Sequence, residues 1–483
     1  MFKANDRWCT AITLVCVVGA WSASSLSASA AERQLVTGGP AVAIRSINVV
    51  SQGSIEDLYS IVENPLSSLT YDKGADIVVS VKLAADTDRI KSDDVRFALT
   101  KADGYAIDIN PDAIEVVAAT RAAALYALDH LAADLTRQGG RLYSGRILNW
   151  ADIEMRALHF SIRNLSMPKL RMLTDKARRA RVNMLIVWLA DDVRFNSGAV
   201  IPRPTAISKE QLVSLKDYAN ASGMEFVPHL SLLTKQHRFF RDTRPELMYN
   251  NVTYNPALPE LYELIFPYID EIIETLQPAA IHIGHDEVEG VFPRSRREVM
   301  TKQKQKRRLK EGDKILPPWL FLHHVKKVNN FLTERGVETW MWGDMLLAKE
   351  DFPEVGRNLN GFFGYADLLP MLPANIVICD WQYWYTGTDF RTTRLFASKG
   401  HTVFGATWRE FENIQNFSHF IAAMGQEPRG MIATTWFLAR QDDQEIVDRI
   451  IEESGRYYWS AEHIGSQSSA PERLWKWFAG LFR

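Results

Sequence analysis

Residues 256–289 read PALPELYELIFPYIDEIIETLQPAAIHIGHDEVE. Apolar residues recur at helical spacing over 256–277, after which Ala280–Gly284 forms a short apolar run of strand length that ends in His285-Asp286-Glu287. The same texture repeats along the chain from residue 155. Candidate strands fall at 157–162 (ALHFSI), 184–189 (MLIVWL), 225–230 (EFVPHL), 280–284, 338–342 (ETWMW), 376–381 (IVICDW), 402–407 (TVFGAT) and 431–436 (MIATTW), with amphipathic helices at 208–222, 256–277, 317–335, 411–424 and 442–460 between them. Eight strands alternating with helices predict a (β/α)₈ TIM barrel over 151–483. A doubly wound sheet would carry a phosphate loop, and neither G-x-G-x-x-G nor a Walker motif is present.

Upstream of the barrel the pattern is mixed. Apolar runs at 44–50, 76–83, 104–112 and 113–119 are followed by the helical stretch 120–138, so residues 31–150 read as a small α+β domain, with a hairpin turning at Asn110-Pro111-Asp112. The first 30 residues have the parts of a secretory leader: Lys3 and Arg7, the apolar run 10–21, and small residues up to Ala28-Ser29-Ala30. That run is too short to span a bilayer, so the expectation is an exported protein, periplasmic or extracellular, with no membrane span after cleavage. Loss of the leader removes Cys9 and Cys16 and leaves Cys379 without an intrachain disulfide partner. The chain has 483 residues and a formal net charge of -2, which excludes the global basic field used by non-specific nucleic-acid binders.

In a TIM barrel the chemistry sits where strands end. His282 to Glu289 is the densest set of ionisable groups in such a position. Neighbours on a regular strand point to opposite faces, so Asp286 and Glu287 converge on one ligand only if the strand ends or bulges, which Gly284 permits. Trp342, Trp381 and Trp436, all at strand ends, are candidates for an aromatic floor under a pyranose, with core packing the competing reading for each. Asp344 is placed to bond sugar hydroxyls or to cap the next element. Asp191 and Asp192 follow the second strand as a buttress or a turn.

The segment HIGHDE resembles the H-x-G-G-D-E signature of glycoside hydrolase family 20, the β-N-acetylhexosaminidases. The likeness extends to Arg156-Ala157-Leu158-His159, to Asn183 with Asp191-Asp192, to Trp342, Trp381 and Trp436, and upstream to residues 104–131. It implies a carbohydrate substrate and hydrolysis with retention, in which the substrate's 2-acetamido oxygen attacks the anomeric carbon. Glu287 would be the general acid and then the base, and Asp286 would orient the acetamido N–H. No metal or other cofactor is implied. Arg156, Arg163, Asp191, His285, Trp342, Asp344, Trp381, Trp408 and Trp436 are the implied or candidate substrate contacts.

Departures from the family pattern surround that pair. His285 replaces the second Gly of the signature, Ile186-Val187-Trp188 stands for H-W-H, and Lys235 occupies the place of a His that supports the acid. Trp408-Arg409-Glu410 stands for Y-L-D, and Leu438 for a sugar-gripping Glu. Two rival readings follow. One is a carbohydrate-binding protein that has lost catalysis. The other is a metal-dependent hydrolase with His229, His282, His285, Asp286 and Asp344 as ligands.

Overall fold

The computed structural model describes residues 39–461, except 61, 63, 68, 88–89, 91, 237–239, 289–311, 425–427 and 441–442. The expected leader with Cys9 and Cys16, Glu289, and the basic run from Arg294 to Lys310 lie outside the described residues.

Six strands open the described chain: β1 (Ala41–Ser51), β2 (Ala75–Leu83), β3 (Tyr105–Ile109), β4 (Ala113–Ala118), β5 (Arg141–Tyr143) and β6 (Gly145–Asn149). They form one sheet in the order β5-β1-β2-β4-β3-β6, and β3 and β4 pair antiparallel about the expected turn. The helix Arg121–Arg137 covers this sheet with an apolar stripe running from Ala122 to Leu135, and its first turn is capped by Thr120 Oγ1 accepting from the Ala123 N–H at 3.0 Å. β5 and β6 and the helix Asp93–Leu99 were not expected. β5 is three residues long and buries only Leu142, too little to leave a periodic signal.

The remaining strands build the barrel. These are β7 (Met155–Ser161), β8 (Met184–Trp188), β11 (Glu225–Leu232), β12 (Ala280–Gly284), β13 (Glu338–Trp342), β14 (Val377–Trp381), β15 (Val403–Thr407) and β16 (Pro428–Trp436). A two-stranded ribbon, β9 (Val193–Arg194) and β10 (Ile207–Ser208), lies in the connection after β8. All eight barrel pairings are parallel and the ring closes as β11-β12-β13-β14-β15-β16-β7-β8.

Both faces of each strand are covered, so the strands read as continuous apolar runs. The period of two survives as a division between two cores. Ile281, Ile283, Met341 and Ile378 face the shell of helices, while Ala280, Trp340, Trp342, Val377, Cys379 and Trp381 fill the barrel interior. No helix among the described residues is long and apolar enough to cross a membrane.

The small domain docks at the end of the barrel where strands begin. Arg156, at the start of β7, is fully buried. Its guanidinium pairs with Asp103 of the small domain and donates to the carbonyls of Ile153, Glu154 and Arg181 at 2.7–2.8 Å. Tyr126 Oη donates to Val182 O at 2.8 Å and Trp459 Nε1 to Asn149 Oδ1 at 2.8 Å across the same junction. Arg156 is therefore a structural residue at the end opposite to strand-end chemistry. This corrects the expectation that it grips substrate: a strand-start arginine cannot reach the mouth of its own barrel.

Candidate active site

β12 stops abruptly. Gly284, His285 and Glu287 all have left-handed backbone, with φ of 80°, 70° and 47°. For the two non-glycine residues that conformation costs free energy and needs the surroundings to hold it. A Cβ at position 284 would come within 2.9 Å of Leu230 O, so the glycine also permits the close approach of β11. This turn breaks the alternation of the strand and lets Asp286 and Glu287 face one point.

That point is Lys235. The loop leaving β11 also turns left-handed, at Leu233 (φ 75°) and Lys235 (φ 64°). The ammonium contacts Asp286 Oδ2 directly and lies 3.6 Å from Glu287 Oε2. The side chains of Lys235 and Glu287 are 36% and 34% exposed, so the ion cluster opens to solvent. Burial works against the lysine charge, but Asp286 and then Glu287 more than offset it and hold the ammonium well above the usual lysine range.

Asp344, just beyond β13, anchors the turn. Its Oδ2 accepts the Glu287 backbone N–H at 3.0 Å and Asn360 Nδ2 at 2.7 Å, and its Oδ1 accepts Trp381 Nε1 at 3.1 Å. Burial, with the charge of Asp286 added, raises its carboxyl to about 7 despite these donors. The carboxylate is saturated by protein groups and 1% exposed, which corrects its expected role as a sugar contact: it positions Glu287. Asn360 is the partner that sequence reasoning missed, 16 residues away on an irregular loop.

Beneath the turn lies a column of aromatic and imidazole rings. His159 Nε2 and His229 Nδ1 are 2.8 Å apart, His229 and His282 rings are 4.4 Å apart, and Trp342 packs at 4.5 Å from His282. Burial lowers His159 to about 3, and moves His229 and His282 well below the ordinary value, so the column is neutral. Trp342 is fully buried in this column, so it is not floor to a ligand as expected. Trp381 is 9% exposed and committed to Asp344, whereas Trp408 and Trp436 remain partly open at the mouth. Trp436 Nε1 donates to Tyr383 Oη at 3.0 Å, and Trp188 packs edge-on at 5.6 Å from Trp436. Neither Tyr383 nor Trp188 was singled out for the site, although both stand at or just past strand ends.

Three other expectations are redirected. His285 turns away from the acids and stacks on His324 at 5.1 Å, with its Nδ1 bonded to Ile283 O at 3.0 Å. Its left-handed φ swings the side chain behind the strand. Arg163 is clamped to Asp191 at 2.5 Å and to Asp192 at 2.8 Å, and Arg203 completes the cluster at 2.9 Å from Asp191. Arg163 and Asp191 thus neutralise each other beside the mouth. The proposed metal set does not converge, because His285 faces away and Asp344 is saturated, and among the described residues no group of three or more His, Cys, Asp or Glu side chains is arranged to hold a metal ion.

Residues 206–436 match the model of the glycosyl hydrolase family 20 catalytic domain. The chain carries a family 20 domain. This places it with the glycosidases. The family 20 barrel and the domain before it superpose on a β-N-acetylhexosaminidase from Bacteroides fragilis NCTC 9343 with a TM-score of 0.64 at 15% identity, covering 94% of each chain. A Flavobacterium johnsoniae chitobiase gives 0.65 at 14% identity over 93% of this chain and 71% of that one, and a Streptomyces coelicolor A3(2) family 20 β-N-acetylhexosaminidase gives 0.61 at 13% over 90% and 92%. Comparison with curated protein sequences finds no match. At these identities the likeness to the solved structures establishes the fold, and the family 20 assignment rests on the matched barrel segment.

Proposed function

We propose that the chain removes β-linked N-acetylhexosamine from glycans with retention of configuration, the substrate's own acetamido oxygen serving as nucleophile. The observation that carries this reading is the joint presentation of Asp286 and Glu287 at the barrel mouth on a left-handed turn held by Asp344. Glu287 protonates the leaving oxygen as the acetamido oxygen closes on the anomeric carbon. Asp286 accepts the acetamido N–H, on which positive charge grows. Water deprotonated by Glu287 then opens the oxazolinium ring, which returns the proton and regenerates the sugar. Trp408 Nε1, an N–H without a partner among the described residues, supplies a donor of the kind the acetamido oxygen needs. Lys235 offsets the charge of two adjacent carboxylates in the resting site.

The test is a panel of chromogenic β-glycosides comprising N-acetylglucosaminide, N-acetylgalactosaminide and their 2-hydroxy analogues, offered to wild type, Glu287→Gln and Asp286→Asn. Turnover confined to 2-acetamido substrates and blocked by a thiazoline mimic is expected. Glycan binding without turnover in wild type, or unimpaired Glu287→Gln, would sink the mechanism. The proposal includes export through the leader at residues 1–30, which amino-terminal sequencing of the mature protein reads directly.

A further inference from the structure

The loops after β13, β14 and β15 form one side of the barrel mouth, and they carry a feature the hydrolytic mechanism does not use. Trp384 is 38% exposed, an unusual position for so large an apolar ring. It stands edge-on to Trp408, with centroids 5.5 Å apart at 84°. Trp408 in turn packs on Tyr383 at 5.9 Å, and Tyr383 on Trp381 at 5.0 Å. Trp381 donates to Asp344, which holds Glu287. The exposed indole is thus joined to the catalytic turn through a continuous chain of packed rings.

Two arginines flank it. Arg357 lies 5.7 Å and Arg409 5.9 Å from the Trp384 centroid, at the outer limit of a cation–π contact of about 6 Å. Arg409 rests more closely on Trp408, at 4.3 Å. Neither arginine forms a carboxylate pair among the described residues, whereas two acids of the same loops are already taken: Glu354 by Arg391 at 2.9 Å and Asp389 by Arg394 at 3.0 Å. The rim therefore presents two unneutralised guanidinium forks around an open indole face. Asn360, three residues after Arg357, bonds Asp344 directly, which ties that arginine's loop to the site.

We propose that Trp384, Arg357 and Arg409 form an outer subsite that selects an anionic pyranose as the residue next to the one cleaved. The indole stacks on the apolar face of the ring, and the guanidinium groups take the anion, whose planar or tetrahedral oxygens match their donor fork. A uronate carboxylate and a sulfate ester present the same chemistry here. This inference deepens the hydrolase reading and rests on it for the position of the cleaved sugar.

Three disaccharides test it, each with a β-N-acetylhexosamine linked to glucose, to glucuronate, or to 6-sulfated glucose. Wild type is expected to favour one or both anionic substrates in kcat/KM by about tenfold, within the range that two exposed charge-assisted contacts supply. That ratio should fall to near one in the Arg357→Gln/Arg409→Gln double variant and shrink with added salt. The larger of the two anionic ratios identifies carboxylate or sulfate. Calorimetry on Glu287→Gln with the same disaccharides gives a second readout independent of turnover, and Trp384→Ala should weaken binding of all three. Equal kcat/KM and equal Kd for neutral and anionic sugars would overturn the subsite. Absence of turnover with an anionic preference intact in calorimetry would instead remove the hydrolase reading and leave the subsite standing. A change of oligomeric state in the double variant, with no change in sugar preference, would make the patch a contact between copies and end the proposal.

Discussion

The two ends of the barrel each hold a cation against carboxylate, and they are built differently. At the lower end Arg156 is wholly enclosed, pairs with Asp103, and spends its remaining donors on three backbone carbonyls. At the mouth Lys235 faces two acids, is a third exposed, and sits on a strained left-handed loop. Arginine's planar fork is suited to a saturated, permanent joint, whereas the compact ammonium serves two carboxylates and leaves them reachable. A closed pair fixes the domains together. An open one leaves acids for a ligand.

The contrast breaks most sharply at Glu287. Glu287→Gln should lower kcat by about 10²–10⁴-fold, the usual contribution of a general acid, while thermal unfolding moves little. Arg156→Met should do the opposite. Breaking a buried pair typically costs about 3–5 kcal/mol, here by stranding Asp103, so denaturant unfolding should show a large loss with kcat of the folded fraction retained. A large kcat loss in Arg156→Met without loss of stability would erase the distinction between the ends.

Lys235→Met probes the mouth more gently. Removing the shared ammonium leaves Asp286 and Glu287 facing each other without a counter-ion, so kcat/KM should fall severalfold, less than in Glu287→Gln, and Lys235→Arg should restore part of it. Unchanged kinetics in Lys235→Met would show that Lys235 has no hold on the acids.

The smallest effect concerns Asp344. Its folded carboxyl titrates near 7 against about 3.9 in the unfolded chain, so between these values the unfolded state gives up its proton first. Its contribution to stability is intact at low pH and falls as pH rises from about 4 to about 7. Asp344→Asn should therefore flatten the decline of the melting temperature across that window, though with fewer acceptors for its three donors. The buried imidazoles act in the opposite sense: His159 and His285, lowered to about 3 and about 4, destabilise the fold as pH drops below about 6.5. Comparing the variant with wild type at each pH isolates the carboxyl.

Much of the fold was legible because barrel strands are short apolar runs separated by amphipathic helices. β12 and β13 coincide with their expected bounds, and β16 differs by starting three residues earlier, at Pro428. The acid pair was legible for the same reason, since a strand end in a barrel is a mouth position. The surroundings were not. Arg156 and Asp344 are both charged residues at strand termini, yet only their packing shows that each is consumed by protein partners. His285 reads as a neighbour of the acid until its φ of 70° sends it behind the strand. Trp342 and Trp384 are the same residue type, one fully buried and the other 38% exposed.

The sequence by itself determined the order of strands and helices, the barrel, and the pair Asp286-Glu287 at a strand end, because periodicity and local turn chemistry are properties of neighbouring residues. Tertiary structure alone decided that Lys235 meets both acids, that Asp344 holds their turn, and which tryptophans and arginines remain open at the mouth. Those outcomes depend on which of several equally charged or equally apolar groups finds a partner first, and a partner 16 or 51 positions away leaves no local signal.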